Sequence, residues 1–129
     1  YDPRVREAPR DLADYLASAH ATVLYEPQRR LDLDQLLISQ GIQRRFRLLL
    51  PSFSALPAFM LGTPLLATVP GLLAQQTLAG LAHAEPPLPC PTLPMFLIWH
   101  ARYQQDPAHR WLREQIEASV APALAQRRG

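Results

Sequence analysis

The sequence predicts an open α/β fold built on a parallel sheet, and three observations carry that prediction. Apolar runs at residues 21–25 (ATVLY), 45–50 (RFRLLL) and 65–69 (LLATV) are too short for helices and suit buried strands. The second and third runs stop at Pro51 and Pro70, residues that cannot donate to a central ladder. Each run is followed by a helix-compatible segment after a short turn, so the strands are expected to be parallel, with right-handed crossovers and helices on the sheet faces.

The elements follow in chain order. Asp11 is placed to cap a short helix in which Leu12, Tyr15 and Leu16 fall at i, i+3 and i+4, ending near His20. The strand at 21–25 is broken by Pro27 and the charged turn Gln28, Arg29 and Arg30. A helix beginning near Asp32 buries Leu33, Leu36 and Leu37, and Gly41 can take the positive φ of a residue just past its end. After the strand at 45–50, Ser52 or Ser54 caps a helix reaching Leu61, with Pro57 in its first turn and Gly62 at its end. After the strand at 65–69, a helix at 71–78 ends at Gly80.

The remaining sequence has a different character. EPPLPCPTLP, residues 85–94, holds five prolines in ten residues and is expected to be an extended, stiff connector. Residues 95–99 read as a strand. Asp106 as N-cap and Pro107 at N1 then open a helix of about eighteen residues with an apolar stripe of Trp111, Leu112, Ile116 and Val120. Trp111 is expected to pack that helix on its own sheet. Neither element has an obvious partner in residues 21–84, and a lone strand edge invites aggregation, so a sheet from another segment is expected to cover residues 95–99.

Composition narrows the function. Thirteen Arg with no Lys and no Asn, beside abundant Ala, Leu and Pro, reflects coding bias more simply than selection. A net charge of +2 against eleven acidic residues is a mixed surface and lacks the basic stripe of a nucleic-acid groove. The single Cys90 permits no internal disulfide and no thiolate zinc cluster, and between two prolines it reads as an inert small residue. His20, His83, His100 and His109 show no metal-binding spacing, so no metal and no cofactor is expected. Ser52 and Ser54 lack the G-x-S-x-G elbow that exposes a nucleophile, which argues against an enzyme. No signal-peptide pattern and no run near the ~20 apolar residues of a membrane span is present, and the expected setting is cytoplasmic, away from any membrane.

A combination of motifs gives a family resemblance. ADYLASAHATVLY, then PSFSALPAFMLGTPLLATVPGLLAQ, then LPMFLIWHARYQQDPAHRWLREQI together resemble the C-terminal portion of a LysR-type transcriptional regulator, across nearly the whole chain. The most specific parts are the PSF turn, the GT before an apolar strand ending in Pro, and the WH-x-R…DPAHRWLRE tail. The resemblance implies a type 2 periplasmic-binding-protein-like effector domain, with the second subdomain complete and the first only partly present. Residues 1–20 then form a crossover segment and short helix, and 21–84 form the second α/β subdomain. Residues 85–94 form the connector, and 95–129 return to the first subdomain. A helix-turn-helix and linker helix would lie outside this chain, whose start without Met in polar sequence suggests an excised piece.

Open α/β sheets bind ligands beyond the carboxyl ends of their strands, where helix N-termini favour anions. That rule selects Glu26 after the first strand, Ser52, Phe53 and Ser54 after the second, and Thr68 and Val69 before Pro70. Similar positions line the inducer cleft in the family. The simpler roles are helix capping for Ser52 and Ser54 and core packing for Phe53; Arg44, Arg45 and Arg47 read as a solvated face. The implied partners are a small anionic or aromatic effector, further copies in a homodimer or tetramer paired through the helices at 33–40 and 71–78, and promoter DNA through the helix-turn-helix alone. Two alternatives are a solute-binding domain of a transport system and a stand-alone oligomerisation module.

Overall fold

A computed structural model of the chain describes residues 1–24, 31–74 and 77–125. The chain divides into two compact units, Tyr1–Thr92 and Leu93–Gly129.

The first unit is α/β. It contains α1 (Leu12–Ala17), β1 (Ala19–Val23), α2 (Asp32–Ser39), β2 (Arg45–Leu50), α3 (Leu56–Met60) and β3 (Leu66–Ala67). The strands form one parallel sheet in the order β2-β1-β3, with β1 central. Ala19 pairs with Arg45 and Val23 with Leu50, and a bulge between His20 and Ala21 leaves Arg47 as the extra residue of β2. Because side chains alternate along a strand, the sheet has two unlike faces. On one, Ala21 and Leu50 join Leu56, Met60 and Leu78 in a core that Leu48, Phe53, Leu65, Ala67, Val69 and Leu73 flank. On the other, His20 meets Tyr15, and Thr68 hydrogen-bonds Tyr15.

Local sequence accounts for the ends of these elements. Asp11 caps α1 by accepting from the Asp14 N–H at 2.8 Å, while the Ser18 N–H returns to the Asp14 carbonyl. α2 closes as the sequence predicts. Gly41 at φ +74° donates to the Ile38 carbonyl and Ile42 to the Leu37 carbonyl, the paired bonds of a Schellman ending. Leu33 and Leu37 are buried; Leu36 is only half-buried. β2 has the predicted bounds. β1 begins two residues earlier than expected, because Ala19 and His20 already have partners in β2.

Four expectations change. The strand after Gly62 is only two residues long, since only His20 and Ala21 pair with it. The helix expected after Pro51 opens as a 3-10 turn at Phe53–Ala55 and runs on as α3 to Met60, with Leu61 as its cap. The helix expected at 71–78 is a 3-10 turn at Gly71–Leu73, with Gln75 and Gln76 outside the described residues and no helix assigned at 77–80. Residues 95–99 are not a strand. No described strand pairs with them, and without a ladder an extended segment is irregular backbone.

The N-terminal segment is tied to the first unit. Tyr1 and Ala82 exchange backbone hydrogen bonds at 3.0 and 2.8 Å. The fully buried Asp2 carboxylate accepts from the Gly62 N–H at 2.6 Å and from three Arg4 N–H groups. Gly62 can offer its N–H this way at φ +79°, a conformation that costs an L-residue with a Cβ. Arg6 bridges the Ser18 hydroxyl and the Pro64 carbonyl.

The second unit holds a 3-10 turn at Ala101–Tyr103 and α4 (Pro107–Ala125). Asp106 caps α4 through the His109 N–H at 2.8 Å, and the helix has about the predicted length. Arg113 lies 4.6 Å from the Trp99 ring centroid and donates to the Tyr103 and Gln104 carbonyls, while Tyr103 stacks on His109. The predicted apolar stripe exists but is exposed. Trp111 is 62 % accessible and, contrary to expectation, packs on no sheet of this unit, because its described residues form none.

Candidate functional site

The carboxyl ends of three parallel strands meet at one edge of the sheet. Leaving that edge are the segment after Val23, the turn after Leu50, and the residues after Ala67. Parallel pairing therefore brings Ser52, Phe53 and Ser54 to the same edge as Thr68 and Val69, on either side of β1. Glu26, expected between them, lies outside the described residues.

Their environments follow the sequence reading in part: Phe53 packs as expected, and the serines do not cap. Ser52 occupies the N-cap position of the 3-10 turn in extended backbone, but its hydroxyl makes no capping bond. It lies 2.9 Å from the Ser54 hydroxyl instead. Phe53 is half-buried and packs against the core, and Val69 does the same from the far side of β1. The helix N-termini that favoured an anion are short, since α3 has five residues and follows a tight 3-10 turn. Its dipole is correspondingly small.

Thr68 joins a buried polar network, one the sequence reading did not find. Its hydroxyl lies 2.7 Å from the Tyr15 phenol oxygen. The Arg44 Nη1 donates to that same phenol oxygen at 3.0 Å, and Arg44 is fixed in turn by two bonds of 2.8 and 2.7 Å to Asp34 Oδ1. Asp34 on α2 and Arg44 before β2 are both buried, and the guanidinium carbon lies 5.0 Å from the Phe46 ring centroid. The sequence places Arg44 on a solvated face, since a charged residue beside a strand is usually exposed. Asp34, ten residues earlier and in the first turn of α2, was the only available signal. Burial raises the Tyr15 pKa and keeps the phenol protonated.

His20 adjoins the network. Its Nε2 lies 2.8 Å from the Tyr15 carbonyl, which can only accept, so Nε2 carries the proton. Nδ1 is then an acceptor, and it and the Thr22 hydroxyl are buried side-chain polar atoms without a partner among the described residues. Burial pushes the His20 pKa down to about 4, keeping the ring neutral. Among the described residues, no group of three or more His, Cys, Asp or Glu side chains is gathered to hold a metal ion.

Strand order, parallel pairing and a common carboxyl edge define an open α/β module of the kind that presents loops to a small molecule. The LysR substrate binding domain family matches residues 2–121. The chain belongs to that family, the effector-binding domains of LysR-type transcriptional regulators, and has their type 2 periplasmic-binding-protein-like fold. It is 34% identical over 110 residues to the HTH-type transcriptional activator NagR of Ralstonia sp, covering 84% of this chain and 36% of that protein. It is 32% identical to the HTH-type transcriptional activator NahR of Pseudomonas putida, covering 88% and 38%. The regulatory domain of MexT, a transcriptional activator in Pseudomonas aeruginosa, superposes with a TM-score of 0.66 at 31% identity, covering 85% of this chain and 56% of that one. The chain thus spans little more than a third of the length of these two curated relatives.

Proposed function

We propose that this chain is the sensing part of a LysR-type regulator, holding a small organic effector at the carboxyl edge of its sheet and working by binding rather than catalysis. The observation that carries this reading is the convergence of residues 52–54 and 68–69 on one edge, in a chain matched by the family over residues 2–121. Ser52 and Ser54 would supply hydroxyl donors, Phe53 and Val69 apolar contact, and Thr68 a directed hydroxyl; the sequence adds Glu26 to these candidates. A carboxylate or carbonyl group on an aromatic or aliphatic frame matches that mixture.

In this reading residues 21–84 are the second subdomain, 85–94 the connector, and 95–129, with α4 as their helix, a part of the first subdomain. The division of the chain between Thr92 and Leu93 supports that partition. Effector binding would shift the relation of the subdomains within a homodimer or tetramer, and promoter DNA would be contacted by a helix-turn-helix elsewhere in the regulator. The expected setting of such a regulator is the cytoplasm. No described helix is long and apolar enough to cross a membrane.

The test is titration of the isotope-labelled chain with benzoate and with succinate, followed through backbone amide shifts. Saturable shifts concentrated at residues 52–54 and 68–69 are expected for at least one of them. Shifts confined to the opposite edge of the sheet would refute the placement. Sedimentation of the same sample, alone and with ligand, tests the assembly.

A further inference from the structure

We propose that Tyr15 and Arg44 are positioning residues of the effector site, aiming the Thr68 hydroxyl through a buried hydrogen-bonded chain that starts on α2 at Asp34. The proposal rests on the reading of Thr68 as an effector contact and adds what sets its direction. Thr68 stands between Ala67 and Val69, which pack against the core on one face of the sheet, so its own side chain lies on the other. There it meets the Tyr15 phenol oxygen at 2.7 Å.

The donor count gives this contact a direction. A guanidinium can only donate, and Arg44 Nη1 donates to the Tyr15 oxygen at 3.0 Å. Directing the Tyr15 proton to Thr68 Oγ1 gives that proton an acceptor, whereas the reverse direction uses the second phenol lone pair and leaves the proton to another group; we take the former. Thr68, once it accepts, keeps its own proton to offer an effector oxygen at the carboxyl edge. Asp34 Oδ1 holds Arg44 from behind by two bonds, and Phe46 lies beneath the guanidinium, so the chain has few alternative arrangements. The same four residues link α2 to the end of β3, two elements far apart in sequence. Any displacement of α2 would therefore be passed to the group that meets the effector. The effector class that fits is one presenting a hydrogen-bond acceptor to Thr68, a carboxylate or a carbonyl.

The deciding experiment measures the Thr68 side-chain rotamer from three-bond scalar couplings, in the wild-type chain and in Tyr15→Phe, together with benzoate affinity from amide shifts. The expected result is a single Thr68 rotamer in the wild type and averaging in Tyr15→Phe, with β1 and β3 amide signals retained. Benzoate should bind about tenfold more weakly to the variant, roughly the worth of one hydrogen bond. A single rotamer retained in Tyr15→Phe overturns the proposal whatever benzoate does. If the rotamer averages but neither benzoate nor succinate shifts residues 52–54 and 68–69 of the wild type, the effector-site reading fails, and Tyr15 is then a structural prop. Should Tyr15→Phe not fold, a slowly exchanging Tyr15 hydroxyl proton near the Thr68 methyl in the wild type, lost in Thr68→Val, supports the same link; its absence overturns it.

Discussion

Burial decides the chemistry of His20. Its pKa is pushed down to about 4 by desolvation, against about 6.5 in an unfolded chain. Between those values the unfolded state binds a proton and the folded state does not, so stability is complete above about pH 6.5 and falls as pH drops toward 4. The loss should be on the order of 2 kcal/mol, and urea unfolding at pH 7 and pH 4.5 checks it; His20→Gln should lose much of that difference. Asp2 acts lower on the scale. Hydrogen bonds from Arg4 and then from the Gly62 N–H hold its carboxyl well below the usual carboxylate range. Its contribution is therefore present above about pH 4 and disappears only in stronger acid. The Arg44–Asp34 pair is buried on both sides. Arg44→Ala would leave a buried carboxylate without its cation and should destabilise the first unit by about 3–5 kcal/mol, measured by denaturant unfolding.

Among the elements, agreement between sequence and structure was best where a single local cause sets a boundary. Asp11, Gly41, Pro51 and Asp106 each act through their own backbone geometry or a bond to a near neighbour, so α1, α2, β2 and α4 end or begin close to where the sequence places them. Gly41→Ala should accordingly cost about 1–2 kcal/mol with no loss of contact, because φ +74° is unfavourable for a residue with a Cβ while nothing lies near that Cβ. Agreement was poorest where an element depends on a distant partner. Residues 65–69 have the composition of a five-residue strand, yet only Leu66 and Ala67 have partners on β1. Residues 95–99 have strand composition and no described partner, leaving Met95, Phe96 and Ile98 all more than three-quarters exposed. An apolar surface of this kind should bind a hydrophobic dye such as ANS, and Phe96→Ser with Ile98→Ser should abolish most of that binding without moving the unfolding midpoint of the first unit.

At the scale of the whole molecule the chain is two units with unlike means of support. The first has a sheet, a buried core and long-range bonds from its N-terminal segment. The second relies on one helix and a local cluster around Trp99, Tyr103 and Arg113, with Trp111, Leu112, Ile116 and Val120 exposed. Limited digestion with thermolysin, which cuts before exposed apolar residues, should act first at 93–98 and leave a resistant fragment close to Tyr1–Thr92. Early cleavage within β1 or β2 would contradict the two-unit description.

The family resemblance was carried by particular motifs, and the α/β class and the parallel order of strand and helix were legible in the sequence as well. They rest on short-range patterns: apolar period, proline and glycine punctuation, and caps. The sequence also pointed to Thr68, through its position just past a strand. Only the tertiary structure decided that Thr68 faces Tyr15, that Arg44 is buried against Asp34 rather than solvated, and that Ser52 and Ser54 bond each other instead of capping a helix. The reason is physical. A strand's composition is read locally, but which face a side chain takes and whether its charge is buried depend on partners brought close by folding, and those pairings leave no periodic trace in the chain.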